Sequence, residues 1–389
     1  VADHQHERRP LAEQHSVTPL ELFFDLVFVF ALTQVTTLLA DDLTWMGLLR
    51  GLAVLAVIWW AWVGFSWLTN TIRIDDDVAS RLVMLATMGA MLVVGLVAPA
   101  AFGDYALVFG VAYLVVRLLH ITLYAVTTRS DPDVFRAVMR LVPGMVTAPL
   151  LILAAAFVPS GPLRGVLWIV AIAIDFLAPV IAGSGGWKVD PAHFTERHGL
   201  IIIIALGESL VALGLSAAGE DIDAGVIAAA ALGVVVVSAL WWLYFDVVAI
   251  AAERMLASLQ GAARAAMARD SYSYLHLPMV FGIVLVALGL KKTLLDIAQP
   301  LYAVTSVALF GGAALYLIAH VLFRLRNMGT LNVQRLVCAA VLLALIPVGL
   351  VVPSLVSLGL VTVLLVGLVA FEAIRYRDTR HQLRQHSGH

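Results

Sequence analysis

Glu208 stands in Gly199-Leu-Ile-Ile-Ile-Ile-Ala-Leu-Gly-Glu208-Ser-Leu-Val-Ala-Leu-Gly214, a run apolar enough to cross a bilayer. A carboxyl group about ten residues inside such a helix lies roughly 15 Å deep, near the membrane centre. Placing an acid there costs on the order of 2.5–3.5 kcal/mol, so it faces a bundle interior, a partner or a polar pathway. Such a group can load and release a proton or hold a small cation. Asp25 lies four residues beyond Glu21, on the same helix face one turn deeper, roughly 9 Å inside the first apolar run. Arg81 is its candidate ion-pair partner. Arg117, His120 and Tyr124 follow at spacings of three and four, which puts them on one polar stripe of a helix. Arg117 cannot deprotonate and must find a carboxylate or carbonyls. Asp25, Asp175 and Glu208 are the candidate acids.

His193 and His198, with Glu196 between them, invite a metal reading. Five residues turn helix side chains about 140° apart, whereas two histidines on one zinc sit four apart, as in His-Glu-x-x-His. Arg197 adds an unfavourable charge, so no metal and no cofactor is expected. The same segment reads as an interfacial cap, with Arg197 facing lipid or loop carboxylates. Arg197 and Glu208, eleven residues apart, share a face that could line a vestibule past His198 to the acid. No nucleophile–base constellation, Gly-x-Ser-x-Gly elbow or zinc triad is present, so catalysis is not expected.

These groups must be positioned by membrane helices. The chain has 389 residues, 62% hydrophobic and only 13% charged, against roughly 25% charged in soluble domains. Its mean hydropathy is +0.97. The expected fold is an all-α polytopic membrane protein. Apolar windows fall near 18–39, 46–68, 79–101, 104–125, 138–158, 163–183, 195–217, 225–249, 273–291, 300–322, 331–352 and 354–375. A net charge of −2 points to no nucleic-acid partner, and the single Cys338 permits no intrachain disulfide. The first sixteen residues are polar, so no cleavable signal is expected. With twelve spans, nineteen Lys and Arg share the side of the termini, against Arg50, Arg164, Lys291 and Lys292 opposite. That asymmetry predicts a bacterial inner-membrane protein with both termini cytoplasmic.

The chain also repeats itself. Leu26-Val-Phe-Val-Phe-Ala-Leu-Thr-Gln34 aligns without gaps on Leu200-Ile-Ile-Ile-Ile-Ala-Leu-Gly-Glu208. Trp59-Trp60-Ala-Trp62 matches Trp241-Trp242-Leu-Tyr244, and His120 and His320 hold corresponding places. Two parallel six-helix repeats follow, 18–183 and 184–376, between a polar tail at 1–17 and a basic tail at 377–389. Gln34 becomes the neutral relative of Glu208, with the pseudo-axis along the membrane normal.

Several residues have local structural readings. Thr18-Pro19-Leu20-Glu21 matches a capping box, and Asp190-Pro191 a second helix start. The tryptophan clusters read as interfacial anchors and Glu372 as a snorkelling acid. Arg375 through Arg384 read as a contact to anionic lipid on the cytosolic face.

Glu21-Leu-Phe-Phe-Asp25-Leu-Val-Phe-Val resembles the opening signature of the low temperature requirement A family of bacterial membrane proteins. The likeness continues through Arg81-Leu-Val-Met84, Pro99-Ala-Ala-Phe102-Gly-Asp104 and Tyr113-Leu-Val-Val-Arg117-Leu-Leu-His120. It extends to Asp190-Pro-Ala-His193-Phe-Thr-Glu196-Arg197-His198-Gly199 and Trp241-Trp242-Leu-Tyr244-Phe-Asp246. The resemblance implies a multi-pass inner-membrane protein whose family name records a growth phenotype, and it implies no particular activity. Phe24-Asp25 is more distantly similar to the Phe-Ser-Asp motif of two-repeat lysosomal potassium channels. The serine is missing here, and Gly199 matches Asp25 in the second half.

The expected function is an ion or proton-coupled solute pathway, with Glu208 as the titrating site and Arg117 and Asp25 as its charge partners. The alternative is a non-transporting scaffold or stress-adaptation factor whose buried polar residues only fix helix packing. A homo-oligomer is compatible with either.

Overall fold

A computed structural model describes residues 17–72, 74, 77–218 and 223–377. Arg8, Arg9, Arg73, Arg380 and Arg384, which belong to the basic residues counted above for orientation and lipid contact, lie outside the described residues. Among the described residues, twelve helices are long and apolar enough to cross a membrane. They are α1 (Pro19–Asp41), α2 (Trp45–Thr71), α3 (Val78–Ala100), α4 (Ala106–Thr127), α5 (Pro132–Ala156) and α6 (Pro162–Ala182). The second six are α7 (Pro191–Ala218), α8 (Ala224–Ser258), α9 (Gly261–Leu295), α10 (Ala303–Met328), α11 (Val333–Leu350) and α12 (Ser354–Arg375). No β-strand is formed among the described residues.

Local chemistry sets the helix starts. Thr18 Oγ1 accepts from the Glu21 backbone N–H, and the Thr18 N–H donates to Glu21 Oε2 at 2.8 Å, completing the capping box. Asp190 Oδ1 accepts from the N–H groups of Ala192 and His193. Asp77 caps α3 through Ser80, and those hydrogen bonds hold its carboxyl below the usual range. Asp131 caps α5 and pairs with Lys188, whose ammonium likewise holds that carboxyl low.

Two spans extend well past their sequence windows. α8 turns at Asp246–Val247 and resumes as Val248–Ser258. α9 begins twelve residues earlier than its apolar core and contains a π-helical segment, Ala268–Tyr274.

In the first half, α1 packs on α2 and α3, α3 on α4, α4 on α5 and α5 on α6. In the second, α7 packs on α8 and α9, α9 on α10, α10 on α11, and α8 on α12. The halves meet where α1 and α2 touch α7 and α9. α9 and α10 approach so closely that a Cβ on Gly282 would lie 2.6 Å from the Gly312 carbonyl oxygen. Small residues permit such contact between membrane helices.

This packing corrects the tryptophan reading. Trp59, Trp60 and Trp62 are buried in the core, because α2 sits between the halves. Trp59 Nε1 donates to the Ser273 carbonyl of α9 at 2.9 Å. Trp241 and Trp242 are exposed, as anchors would be. α11 and α12 are two separate helices joined through 351–353.

Candidate functional site

The seam between α1 and α7 carries polar side chains at three levels. At the first, His193 Nε2 lies 3.1 Å from the Glu21 carboxylate. The other ring nitrogen meets Asn70 Nδ2 at 3.2 Å, so the cap of α1 is tied to α2 and α7. At the second, Arg197 lies 3.0 Å from Asp25 Oδ1, which also accepts from Trp62 Nε1 at 3.0 Å. The guanidinium sits 5.7 Å from the Trp62 ring, within cation–π range. At the third, Thr36 of α1 lies beside Glu208, and Lys291 of α9 adds a positive field. The Thr36 hydroxyl donates instead to the Leu32 carbonyl at 3.2 Å.

The offset between partners is the same at every level: 21 with 193, 25 with 197, 36 with 208. Two parallel helices starting at Pro19 and Pro191 place equal depths side by side, and that arrangement generates the ladder. Thr36, and not Gln34, is therefore the residue level with Glu208; Gln34 is half-buried.

The seam is poorly satisfied. Both Glu208 oxygens, Glu21 Oε1, Asp25 Oδ2, the Arg197 nitrogens and His198 Nε2 are buried without a hydrogen-bond partner. Some nine-tenths of buried polar groups in proteins have one.

Several expectations are corrected here. Asp25 takes Arg197 as its ion partner rather than Arg81, because α7 and not α3 presents a cation at its level. Arg197 is 0% exposed and does not face lipid. His198 is buried and is not an interfacial cap: Nδ1 bonds the Phe194 carbonyl at 2.8 Å, and the ring lies 5.3 Å from His276. Glu208, Asp25 and Arg117 do not share one charge cluster, since each has its own surroundings.

Arg117 belongs to a second site. Its guanidinium donates to Asp175 Oδ1 at 2.8 Å, and Tyr113 donates to Asp175 Oδ2 at 3.2 Å. The stripe of Arg117, His120 and Tyr124 is buried as a unit and lines a cavity of about 70 Å³. Arg117 Nε and both His120 ring nitrogens have no hydrogen-bond partner.

A third site lies in the second half and was missed by sequence reasoning. Arg335 donates through Nε and Nη2 to the Glu372 carboxylate at 2.8 and 2.7 Å, through Nη2 to the Leu243 carbonyl, and through Nη1 to His320. Asn332 also donates to Glu372. Glu372 is thus buried and paired, not snorkelling. A chain of rings leads from here back to the seam. His320 packs on Tyr244, whose hydroxyl meets His276 Nε2 at 2.8 Å. His276 Nδ1 lies 3.0 Å from the Ser271 carbonyl, which can only accept. Nδ1 therefore carries the proton and Nε2 accepts from Tyr244.

Twelve membrane-length helices enclosing ion pairs between them define a polytopic α-helical membrane protein. Residues 16–370 match the family described as bacterial low temperature requirement A protein, and the chain belongs to that family. An uncharacterised protein of Rhizobium meliloti (strain 1021) is 29% identical over 329 residues, covering 80% of this chain and 77% of that protein. No solved structure matches.

Proposed function

We propose that the chain forms a pathway for an ion or a proton-coupled solute, with Glu208 as its titrating site. The observation that supports this most is the seam itself: a buried carboxyl with no direct ion pair, whose oxygens accept no well-formed hydrogen bond and feel only the more distant charge of Lys291, on the line where the halves meet. A partnerless polar atom in such a place costs about 1–3 kcal/mol, and exchange of a proton or cation gives that cost a use. Glu208 lies roughly 15 Å from the Ala218 end of α7. Phe28, Leu32, Ile201 and Ala205 separate its level from Arg197 and Asp25. Transport must wet or part this apolar layer, the usual behaviour of a hydrophobic gate.

Both termini would face the cytoplasm, with the basic ends of the helices near anionic lipid. The similar order of helix neighbours in the two halves supports duplication about an axis along the membrane normal. Purified protein in liposomes is expected to pass protons or a small cation down an imposed gradient, and Glu208→Gln to abolish the flux. Unchanged flux in that variant would remove Glu208 from the pathway.

The ion pairs linking α4 to α6 and α11 to α12 favour a second reading, a scaffold whose polar residues only fix packing. Under it, wild-type liposomes show no flux and Glu208→Gln changes thermal stability alone.

A further inference from the structure

We propose that the cavity beside Arg117 and His120 is a binding site for a small planar oxyanion of the acetate or nitrate class. It goes beyond the pathway reading and does not depend on Glu208.

Three observations converge on it. The first is the set of unused polar atoms. Arg117 is 1% exposed and His120 0%, and both residues line the cavity, yet Arg117 Nε has no hydrogen-bond partner and the His120 ring has only the Gly64 carbonyl beside it. Arg117 Nε–H can only donate, so it calls for an acceptor. His120 supplies at least one donor in either tautomer. An oxygen pair presented edge-on to Arg117 and His120 satisfies both.

The second is charge. Arg117 is already neutralised by Asp175. Among the residues that line the cavity, however, Arg117 and Arg269 are cationic and only Asp175 is anionic, while Asp270, which meets Arg269 at 2.7 Å, is shared with Arg326 of α10 at 2.9 Å. Arg140 donates to the Gly185 carbonyl in the loop next to the cavity-lining Ser184, at 2.5 Å. The surroundings therefore carry positive charge in excess, which favours a monoanion over a cation.

The third is size and shape. A volume of about 70 Å³ is roughly half the ~150 Å³ apolar cavity that accepts benzene. That leaves room for three or four non-hydrogen atoms. Trp60, Trp67 and Trp187 supply flat indole walls, which suit a planar guest. Gly64 leaves room for the His120 ring to lie against α2: a Cβ there would stand 2.6 Å from His120 Cε1.

The test uses the full-length protein in detergent, with thermal unfolding followed against sodium acetate, nitrate, chloride and benzoate at matched ionic strength. Acetate and nitrate are expected to raise Tm saturably, with the shift growing as the logarithm of concentration above Kd. Chloride and benzoate should give no such rise. Ala265→Leu, which fills the cavity and leaves Arg117 and His120 intact, should abolish the acetate shift. His120→Phe should melt no lower than wild type without ligand and raise Kd about tenfold, the loss of one hydrogen bond's discrimination. Glu208→Gln should retain the shift. The proposal is overturned if acetate and nitrate stabilise no more than chloride, if benzoate stabilises equally, or if the shift survives unchanged in Ala265→Leu and His120→Phe.

Discussion

Each half of the molecule buries an arginine against an acid of its last helix, with a histidine nearby, and the two arrangements differ in completeness. In the second half, Arg335 engages Glu372 twice, the Leu243 carbonyl and His320, and Asn332 takes up further acceptor capacity of the acid. In the first half, Arg117 has one carboxylate contact, its Nε is idle and His120 bonds no side chain, with only the Gly64 carbonyl beside its ring. Desolvating a guanidinium is offset only where its remaining donors are also used. The second site meets that condition and reads as a fastener between α8, α10, α11 and α12. The first does not, and its residues Arg117 and His120 line a cavity. One arrangement serves cohesion and the other has capacity left for a guest.

The comparison breaks most sharply at the arginines. Arg335→Leu strands a buried Glu372 and is expected to cost about 3–5 kcal/mol, read from equilibrium unfolding in mixed micelles. Arg117→Leu should cost about 1 kcal/mol less or better, because it also removes an unsatisfied Nε. Equal losses would mean that the two sites are equivalent.

The histidines sharpen it further. His120→Phe should stabilise the ligand-free protein by about 1–3 kcal/mol, while His320→Phe, which deletes the acceptor of an Arg335 N–H, should destabilise by about 1.5–3 kcal/mol. Shifts of the same sign in both variants would sink the distinction.

The smallest effect is at the exposed Asp131–Lys188 pair. Lys188 holds the Asp131 carboxyl low, so its contribution is present above the ordinary carboxylate range and fades as pH falls through the lowered value. The Tm gap between wild type and Asp131→Asn should be slight at neutral pH, closing in acid and in high salt.

The twelve spans, the capping box at Thr18 and the stripe of Arg117, His120 and Tyr124 were legible in the sequence because each depends on local spacing or length. Asp175 as the partner of Arg117 was one of three candidates, and only packing selects it. The burial of Trp59, Trp60 and Trp62 was hidden for a related reason. A helix apolar on all sides carries no periodicity to say which face meets protein and which meets lipid. The Arg335–Glu372 pair was obscured by position, since both residues lie close to helix ends where water is the default partner. One usable signal went unread. Glu21 and His193 stand two residues past Pro19 and Pro191, and Asp25 and Arg197 six residues past them. For parallel first helices of two halves, equal distance from the start means equal depth, and opposite charges at equal depth are the natural pairs.

The π-helical segment Ala268–Tyr274 sets the aim of everything after it on α9. A helix advances about 100° per residue, so the widened turn acts as a rotary offset between Arg269 at one end and His276 at the other. Excising a single residue there would let the helix relax to regular winding and swing the Leu277–Leu295 stretch by that angle. His276 would lose its grip on Tyr244, and a surface now shared with α7 and α10 would turn toward the bilayer. The length of this one turn thereby fixes how the two halves are keyed together.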